Sequence, residues 1–289
     1  MLLTSKLTRP TVPSTFVDRP RLYLELDRWR DHRALLIHAP AGYGKSSLVS
    51  RWIERNELQP HAAWLSLDEG DAEARQFVRY IAGALDRILP GALDLVQPIL
   101  EDSQGGAQRA LTRLLIGLQE DLIPAAQNGR SVLLVLDDIH RAQSPAVDSL
   151  LLGLLEHGPA TLHLLLLTRH TTGLSLARLF AHEDISALTS DDLRFSEQEV
   201  RDYLLTRGFS APTADEVAQL TVRSEGWVTA LQLAVLSLRG RARPADLIDA
   251  LRGDKQWLAH FLTDEVLQQQ APEIQRFLLY TPHSAAENG

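Results

Sequence analysis

The sequence predicts an α/β fold, a parallel five-stranded sheet flanked by helices, followed by an all-helical part. Three observations predict it. Five short apolar runs, at 34–39, 62–67, 131–137, 162–168 and 185–189, alternate with amphipathic stretches. That order builds a parallel sheet covered on both faces. The first run leads straight into "APAGYGKSS" (39–47), a turn of small residues ahead of a helical stretch. After residue 190 the strand signal stops and helix-start signatures take its place.

Composition narrows the classes. The chain has 289 residues, 45% hydrophobic and 23% charged, enough for one large domain and a smaller one. A net charge of -8 disfavours a broad electrostatic surface for nucleic acid and leaves only a local basic patch open. Without cysteine there are no disulfides and no thiolate metal sites. The opening "MLLTSKLTRPTVPS" lacks the continuous apolar core of a secretory signal, and the longest apolar run, "LHLLLLT", has strand length only. The expectation is a soluble, cytoplasmic protein with no membrane partner.

Residues 1–33 read as an N-terminal arm and helix. Pro10 and Pro13 keep 1–18 extended, and a helix over 18–29 puts Leu22, Leu26 and Trp29 on one side. Residues 34–190 hold the sheet, with helices expected at 45–56, 73–89, 108–127, 145–156 and 174–182. The nearly continuous apolar runs at 132–136 and 164–167 fit strands buried on both faces. Pro90, Gly91, Pro98, Gly105 and Gly106 make 90–106 read as an irregular connection.

Residues 191–289 read as the helical part. "FSEQEV" is a helix start in which Ser196 caps, Glu199 reaches back and Phe195 packs on Val200. Thr213 and Glu216 repeat the device. A helix over 225–238 follows Gly226, with Trp227, Leu231 and Leu233 expected in its core. Further helices are expected at 245–251, 256–269 and 272–280. The helices at 196–207 and 213–223 carry acids where a DNA reader would contact phosphate, which favours a lid pair. "TPHSAAENG" has no core-forming pattern and reads as a truncated end.

The turn at 39–47 is the chemical lead. It nearly matches G-x-x-x-x-G-K-[ST], with Ala39 in place of the first glycine. A strand before it and a helix after it would aim backbone N–H groups and the positive helix end at phosphate oxygens. In that reading Ala41, Gly42, Tyr43, Gly44, Lys45, Ser46 and Ser47 contact the nucleotide. The two glycines allow close backbone approach, Lys45 reaches the β- and γ-phosphates, and Ser46 holds Mg²⁺. The plain alternative is a simple turn. "LLVLDDIH" (133–140) ends a buried run with two acids: Asp137 for Mg²⁺ and Asp138 to orient or deprotonate water. Taken alone, these would be solvated acids closing a strand. Beyond "LLLLTRH" (164–170), Arg169 falls at the carboxyl edge, where parallel sheets bind ligands; there it contacts the γ-phosphate or is a surface arginine. The combination decides for a phosphate loop, and hence for a P-loop NTPase. No segment like N-K-x-D reads guanine, which favours adenine, and the segment around "FVDRPRL" (16–22) is a candidate for holding that base. Among ten histidines none forms a compact metal set, and His140 reads as a loop histidine rather than a nucleotide contact.

"SKLTRP", "VDRPRL", "APAGYGKSSL", "AAWLSLDEGD", "LLVLDDIH", "LLLLTR", "LRFSEQEV" and "EGWVTALQLA" occur in that order. The series resembles the N-terminal nucleotide-binding region of the large ATP-dependent LuxR-type transcription regulators, maltose-regulon-activator-like members of the STAND signalling NTPases. The resemblance covers roughly residues 2–280. It implies an ATP/ADP switch with slow Mg²⁺-dependent hydrolysis: ADP holds the protein inactive, while an inducer and ATP permit self-association and transcription activation. It makes Lys45 and Ser46 the P-loop pair, Asp137 and Asp138 the Walker B acids, and Arg169 the sensor arginine. It places Arg19 in the segment that helps enclose the base. Gly226 matches a Gly-x-Pro turn of related switches, with Val228 in place of the proline. Such regulators continue into a winged helix, a helical-repeat sensor and a C-terminal helix-turn-helix. The expectation is therefore a piece ending before the winged helix, with DNA binding left to a C-terminal domain absent from this chain. Two other functions compete: a faster, substrate-stimulated motor-type ATPase, and an interaction adaptor that nucleotide merely stabilises.

Overall fold

A computed structural model describes residues 2–102, 106–122, 131–170, 185–238 and 243–252. The chain forms two compact units, Met1–Leu193 and Arg194–Gly289.

The first unit is built on five strands: β1 (Ala34–His38), β2 (Ala62–Ser66), β3 (Val132–Asp137), β4 (Leu162–Thr168) and β5 (Ile185–Leu188). They run parallel in the order β2-β3-β4-β1-β5, each within a residue of its expected span. Helices cover the sheet: α1 (Pro20–Leu26), α2 (Lys45–Arg55), α3 (Ala74–Asp86), α4 (Ala92–Glu101), α5 (Ala107–Gly117) and α6 (Pro145–His157). Because side chains alternate along a strand, the continuous apolar runs feed two cores at once. Leu134, Leu136 and Leu164 face the core shared with α3 to α6. Leu133, Val135 and Leu165 face the core shared with α1 and α2, which includes Leu22, Leu26 and Trp29.

Two expectations needed correction. The stretch 90–106 is not irregular throughout, since α4 occupies most of it. Gly91 adopts a left-handed conformation (φ 99°), and the Asp86 carboxylate accepts the N–H groups of Gly91 and Leu93. The helix then buries Val96 and Leu100, while Pro98 lies on its exposed side. Apolar spacing outweighs one helix-interior proline when that proline faces water. The arm is not uniformly extended either. Thr4–Leu7 form a 3₁₀ turn because Lys6 is drawn onto Asp71 and Asp68, both at 2.7 Å, and Leu7 is buried. The expected helix at 174–182 lies outside the described residues.

The edge of the sheet away from the loop is fixed by Arg33. Its guanidinium donates to the carbonyls of Leu154, Leu155, Gly158, Pro159 and Leu162. These include carbonyls that the end of α6 leaves without helical donors. A Cβ on Gly158 would lie 2.5 Å from the Leu154 oxygen and 2.7 Å from the guanidinium, so glycine is needed there for space.

The second unit contains α7 (Glu197–Thr206), α8 (Ala214–Ser224), α9 (Val228–Ser237) and α10 (Pro244–Arg252). Reciprocal capping boxes start α7 at Ser196 and Glu199 and α8 at Thr213 and Glu216. Phe195 and Val200 are both buried. In α9 only Leu231 of the three expected core residues is fully buried, together with Ala230 and Ala234, while Trp227 and Leu233 are half-buried. The helices expected at 256–269 and 272–280 lie outside the described residues. Among the described residues no helix is long and apolar enough to cross a membrane.

Candidate nucleotide-binding site

The loop leaves β1 at its carboxyl end. Ala39 is fully buried, its N–H donates to the Thr168 carbonyl at the end of β4 (3.2 Å), and its backbone lies outside the left-handed region. The glycine missing from the template is thus not required for conformation. It is required further on: Gly42 and Gly44 sit at φ 80° and 76°, and Gly44 caps the start of α2. Space for a ligand exists above Gly44, where a Cβ would meet nothing within 4 Å. Ala41, Tyr43 and Ser47 are half-buried along the same turn.

Lys45 folds back on the loop, its Nζ donating to the carbonyls of Ala39 (2.6 Å) and Pro40 (3.1 Å). Burial pulls its pKa down to about 8, against the opposing pull of Asp138. A buried ammonium with two carbonyl acceptors among the described residues is a group for which an anion is the natural partner. One residue on, the Ser46 hydroxyl donates to Asp137 Oδ1 at 2.8 Å. Asp137 is the last residue of β3, and burial, reinforced by the charge of Asp138, pushes its pKa up to about 6. A hydroxyl and a buried carboxylate in contact are hard oxygen donors of the kind Mg²⁺ takes, with waters and phosphate oxygens completing its shell. The residues therefore fit both a phosphate chain and its magnesium.

Asp138 turns sharply out of the strand with φ 56°, an αL conformation that aspartate tolerates better than most residues. Its Oδ1 lies 3.7 Å from Arg169 Nε and 3.9 Å from His140 Nδ1. Arg169 follows β4, where the Thr168 hydroxyl donates to the His170 carbonyl (2.7 Å). Five of the expected residues, Lys45, Ser46, Asp137, Asp138 and Arg169, thus converge at the carboxyl edge of the sheet. Arg19 is buried and donates to the Leu193 carbonyl at 2.8 Å, which anchors the start of α1 within the same unit.

His140, expected as a loop histidine, lies in the turn after β3 and packs against the residues that follow β4. Its side chain is only 5% exposed, and its Nδ1 accepts the Arg169 N–H in a long bond of 3.4 Å. Its ring stands edge-on to His170, centroids 4.8 Å apart. Burial, aided by His170 and Arg169, pushes its pKa down to about 3, so the ring is neutral. The signal available was its place two residues after Asp138, but only the 3₁₀ turn Ile139–Ala142 shows that such spacing points inward.

A glycine-bearing turn between a buried strand and a helix, with an acid at the tip of the neighbouring strand meeting its serine, defines a P-loop nucleotide-binding fold. The chain belongs to the AAA ATPase domain family, whose model matches residues 19–167. It is 32% identical over 282 residues to the HTH-type transcriptional regulator MalT of Klebsiella pneumoniae, covering 96% of this chain and 30% of that protein. That is the resemblance the ordered motifs predicted. It is also 33% identical over 275 residues to the serine/threonine-protein kinase PknK of Mycobacterium tuberculosis, covering 94% of this chain and 24% of the kinase. The chain therefore spans less than a third of these relatives. In fold it is similar to the STAND protein with a tetratricopeptide repeat sensor, PH0952, from Pyrococcus horikoshii (TM-score 0.50, 14% identity, covering 94% of this chain and 40% of that one). It is likewise similar to the Walker-type ATPase paby2304 of Pyrococcus abyssi (TM-score 0.55, 13% identity, 92% and 80%).

Proposed function

We infer that this chain is the adenine-nucleotide switch module of a larger bacterial transcription regulator, binding ATP or ADP with Mg²⁺ and hydrolysing ATP slowly. The observation that carries the reading is the convergence of Lys45, Ser46, Asp137, Asp138 and Arg169 at the carboxyl ends of the strands. Similarity to MalT over nearly the whole chain supports a regulatory role over a metabolic one.

Each residue has a distinct task in this reading. The loop amides of Ala41 to Ser47 and the start of α2 receive the phosphates. Lys45 exchanges two carbonyls for phosphate oxygens, and Ser46 and Asp137 hold the metal. Bound Mg²⁺ supplies positive charge against the phosphate oxygens. Arg169 transfers from Asp138 to the terminal phosphate, which makes its position differ between ATP and ADP. Asp138, released from Arg169, orients the attacking water and accepts its proton. Arg19 lies in the segment assigned to the base. A ligand shifts a switch only if the two states bind it with different affinity, and Arg169 is the group placed to create that difference. Self-association in the ATP state, a cytoplasmic location and DNA binding through a separate C-terminal domain complete the proposal; the net charge of -8 agrees with DNA being contacted elsewhere.

The test begins by denaturing the purified protein and identifying any nucleotide released. Binding of ADP, ATP and GTP to stripped protein with Mg²⁺ follows, with Lys45→Ala alongside. The reading expects adenine preference, slow phosphate release and loss of binding in the variant. A well-folded wild type that binds no nucleotide would sink it. Turnover that rises steeply with a nucleic-acid or protein substrate would indicate a motor, and binding without hydrolysis or partner discrimination would indicate an adaptor.

A further inference from the structure

His140 has no task in that scheme, yet it is more enclosed than the charged groups beside it. Its side chain is 5% exposed, against 22% for Arg169 and 29% for Asp138. It belongs to the turn that follows β3, but its acceptor is spent on the residue that follows β4: Nδ1 takes the Arg169 N–H. The neighbouring strand ends are otherwise joined at this level through backbone bonds, such as Ala39 N–H to the Thr168 carbonyl. One side of Arg169 is fixed by Thr168, whose hydroxyl closes a tight turn onto the His170 carbonyl. The other side is fixed by His140. The imidazole therefore determines where the Arg169 side chain starts, while Asp138 holds where it ends (3.7 Å).

We propose that His140 is a positioning residue for Arg169, and that by anchoring the Arg169 backbone it sets how strongly the site prefers ATP over ADP. This rests on the reading of Arg169 as the group that meets the terminal phosphate. The long guanidinium arm has many rotamers, and the contact it makes depends on a fixed origin. A neutral ring suits the task. The Arg169 N–H needs an acceptor, and a protonated imidazole would offer two donors instead. Charging it would also place a cation beside Arg169 and Lys45, and burial together with those charges opposes this. Edge contact with His170 restricts rotation of the ring.

The experiment measures ATP and ADP affinity with Mg²⁺ on the full chain for wild type, His140→Phe, His140→Asn, Arg169→Ala and the Phe/Ala double variant. Phenylalanine keeps the ring and removes the acceptor. Asparagine offers an acceptor at the place of Nδ1. A lost hydrogen bond that leaves a buried N–H unpaired is expected to lower ATP affinity about tenfold, with ADP affinity within about twofold of wild type. Asparagine should recover most of the loss, and His140→Phe should add nothing once Arg169 is alanine. If the Phe variant fails to fold, His140→Gln, whose polar end reaches only the Nε2 position, makes the same comparison. Equal loss of ATP and ADP affinity would mean that the ring merely supports the fold, and an unchanged ATP to ADP ratio would overturn the proposal. Wild type that binds neither nucleotide would instead remove the parent reading, and this inference with it.

Discussion

Lys45 shows how much stability one buried ammonium gives up. Its ammonium is buried with two carbonyl acceptors, and its pKa falls to about 8. The unfolded chain keeps that proton to about pH 10.4, so between those values the unfolded state binds more protons than the folded one. Stability contributed by this group therefore rises with pH across that window, and the full cost of burying the charge is present below about pH 8. Lys45→Met is expected to lose nucleotide binding while raising the stability of the nucleotide-free protein at pH 7 by about 1 kcal/mol. Part of the gain is cancelled by the two carbonyl bonds it forfeits. Urea midpoints of wild type and variant at pH 7 and pH 10 check this. The difference should shrink at the higher pH, and an equal or larger difference there would mean that the charge is not its source. The motif template singled out Lys45 and Ser46 because a phosphate-cradling loop fixes their spacing, whereas Asp137 stood out as an acid that ends a buried apolar run. The template could not foresee the contact of His140 with the Arg169 backbone, which depends on a turn that folds its ring back toward another strand.

Among the elements, short-range rules were the most legible. Ser196 with Glu199 and Thr213 with Glu216 form the boxes their spacing predicts, since a capping box is closed within four residues. The joint between α8 and α9 is a different case. Gly226 sits at φ 67°, its carbonyl accepts the Phe195 N–H at 2.8 Å, and a Cβ there would lie 2.8 Å from both the nitrogen and the oxygen of Phe195. The glycine is needed for its backbone angle and for the close approach of a second segment. Gly226→Ala is expected to destabilise the helical unit by about 2 kcal/mol, the sum of an αL penalty and a backbone clash. Hydrogen exchange over α7 to α9 measures it; unchanged protection would show that the joint shifts to admit a methyl group. The opposite failure of sequence reasoning occurred at α4, where a run of glycine and proline suggested a break. Propensity is a weak prior, and here it yielded to burial of Val96 and Leu100 and to the Asp86 side chain beneath Gly91.

For the molecule as a whole, the N-terminal arm is a strap across the sheet unit. The Leu2 side chain lies over Gly83 of α3, and Arg9 donates to both the carbonyl and the hydroxyl of Ser50 on α2 (3.0 Å each). Between them, Lys6 Nζ is 2.7 Å from Asp71 Oδ2, and Asp71 is completely buried. Ser144, which caps α6, donates to the Ala72 carbonyl, so the segment held by Lys6 also touches the turn region after β3. Lys6→Met would leave a buried carboxylate without its cation. The expected cost is about 3 kcal/mol, read as a lower urea midpoint. Lys6→Met combined with Asp71→Asn should recover part of it. Equal instability of the single and double variants would assign the loss to packing of the arm rather than to the ion pair.

The sequence by itself determined the five strands, the position of the phosphate loop, the acids at the end of β3, the arginine after β4 and the capped helices. Each of these is encoded in apolar period, turn chemistry or motif spacing within a short window. Tertiary structure alone decided that Ala39 can stand for glycine, that Lys6 pairs with Asp71, that α4 persists through Pro98, and that His140 meets the backbone of Arg169. Those outcomes depend on which groups from distant segments share a buried space. In such a space unpaired charges and polar groups are costly, so the partners available there decide the arrangement.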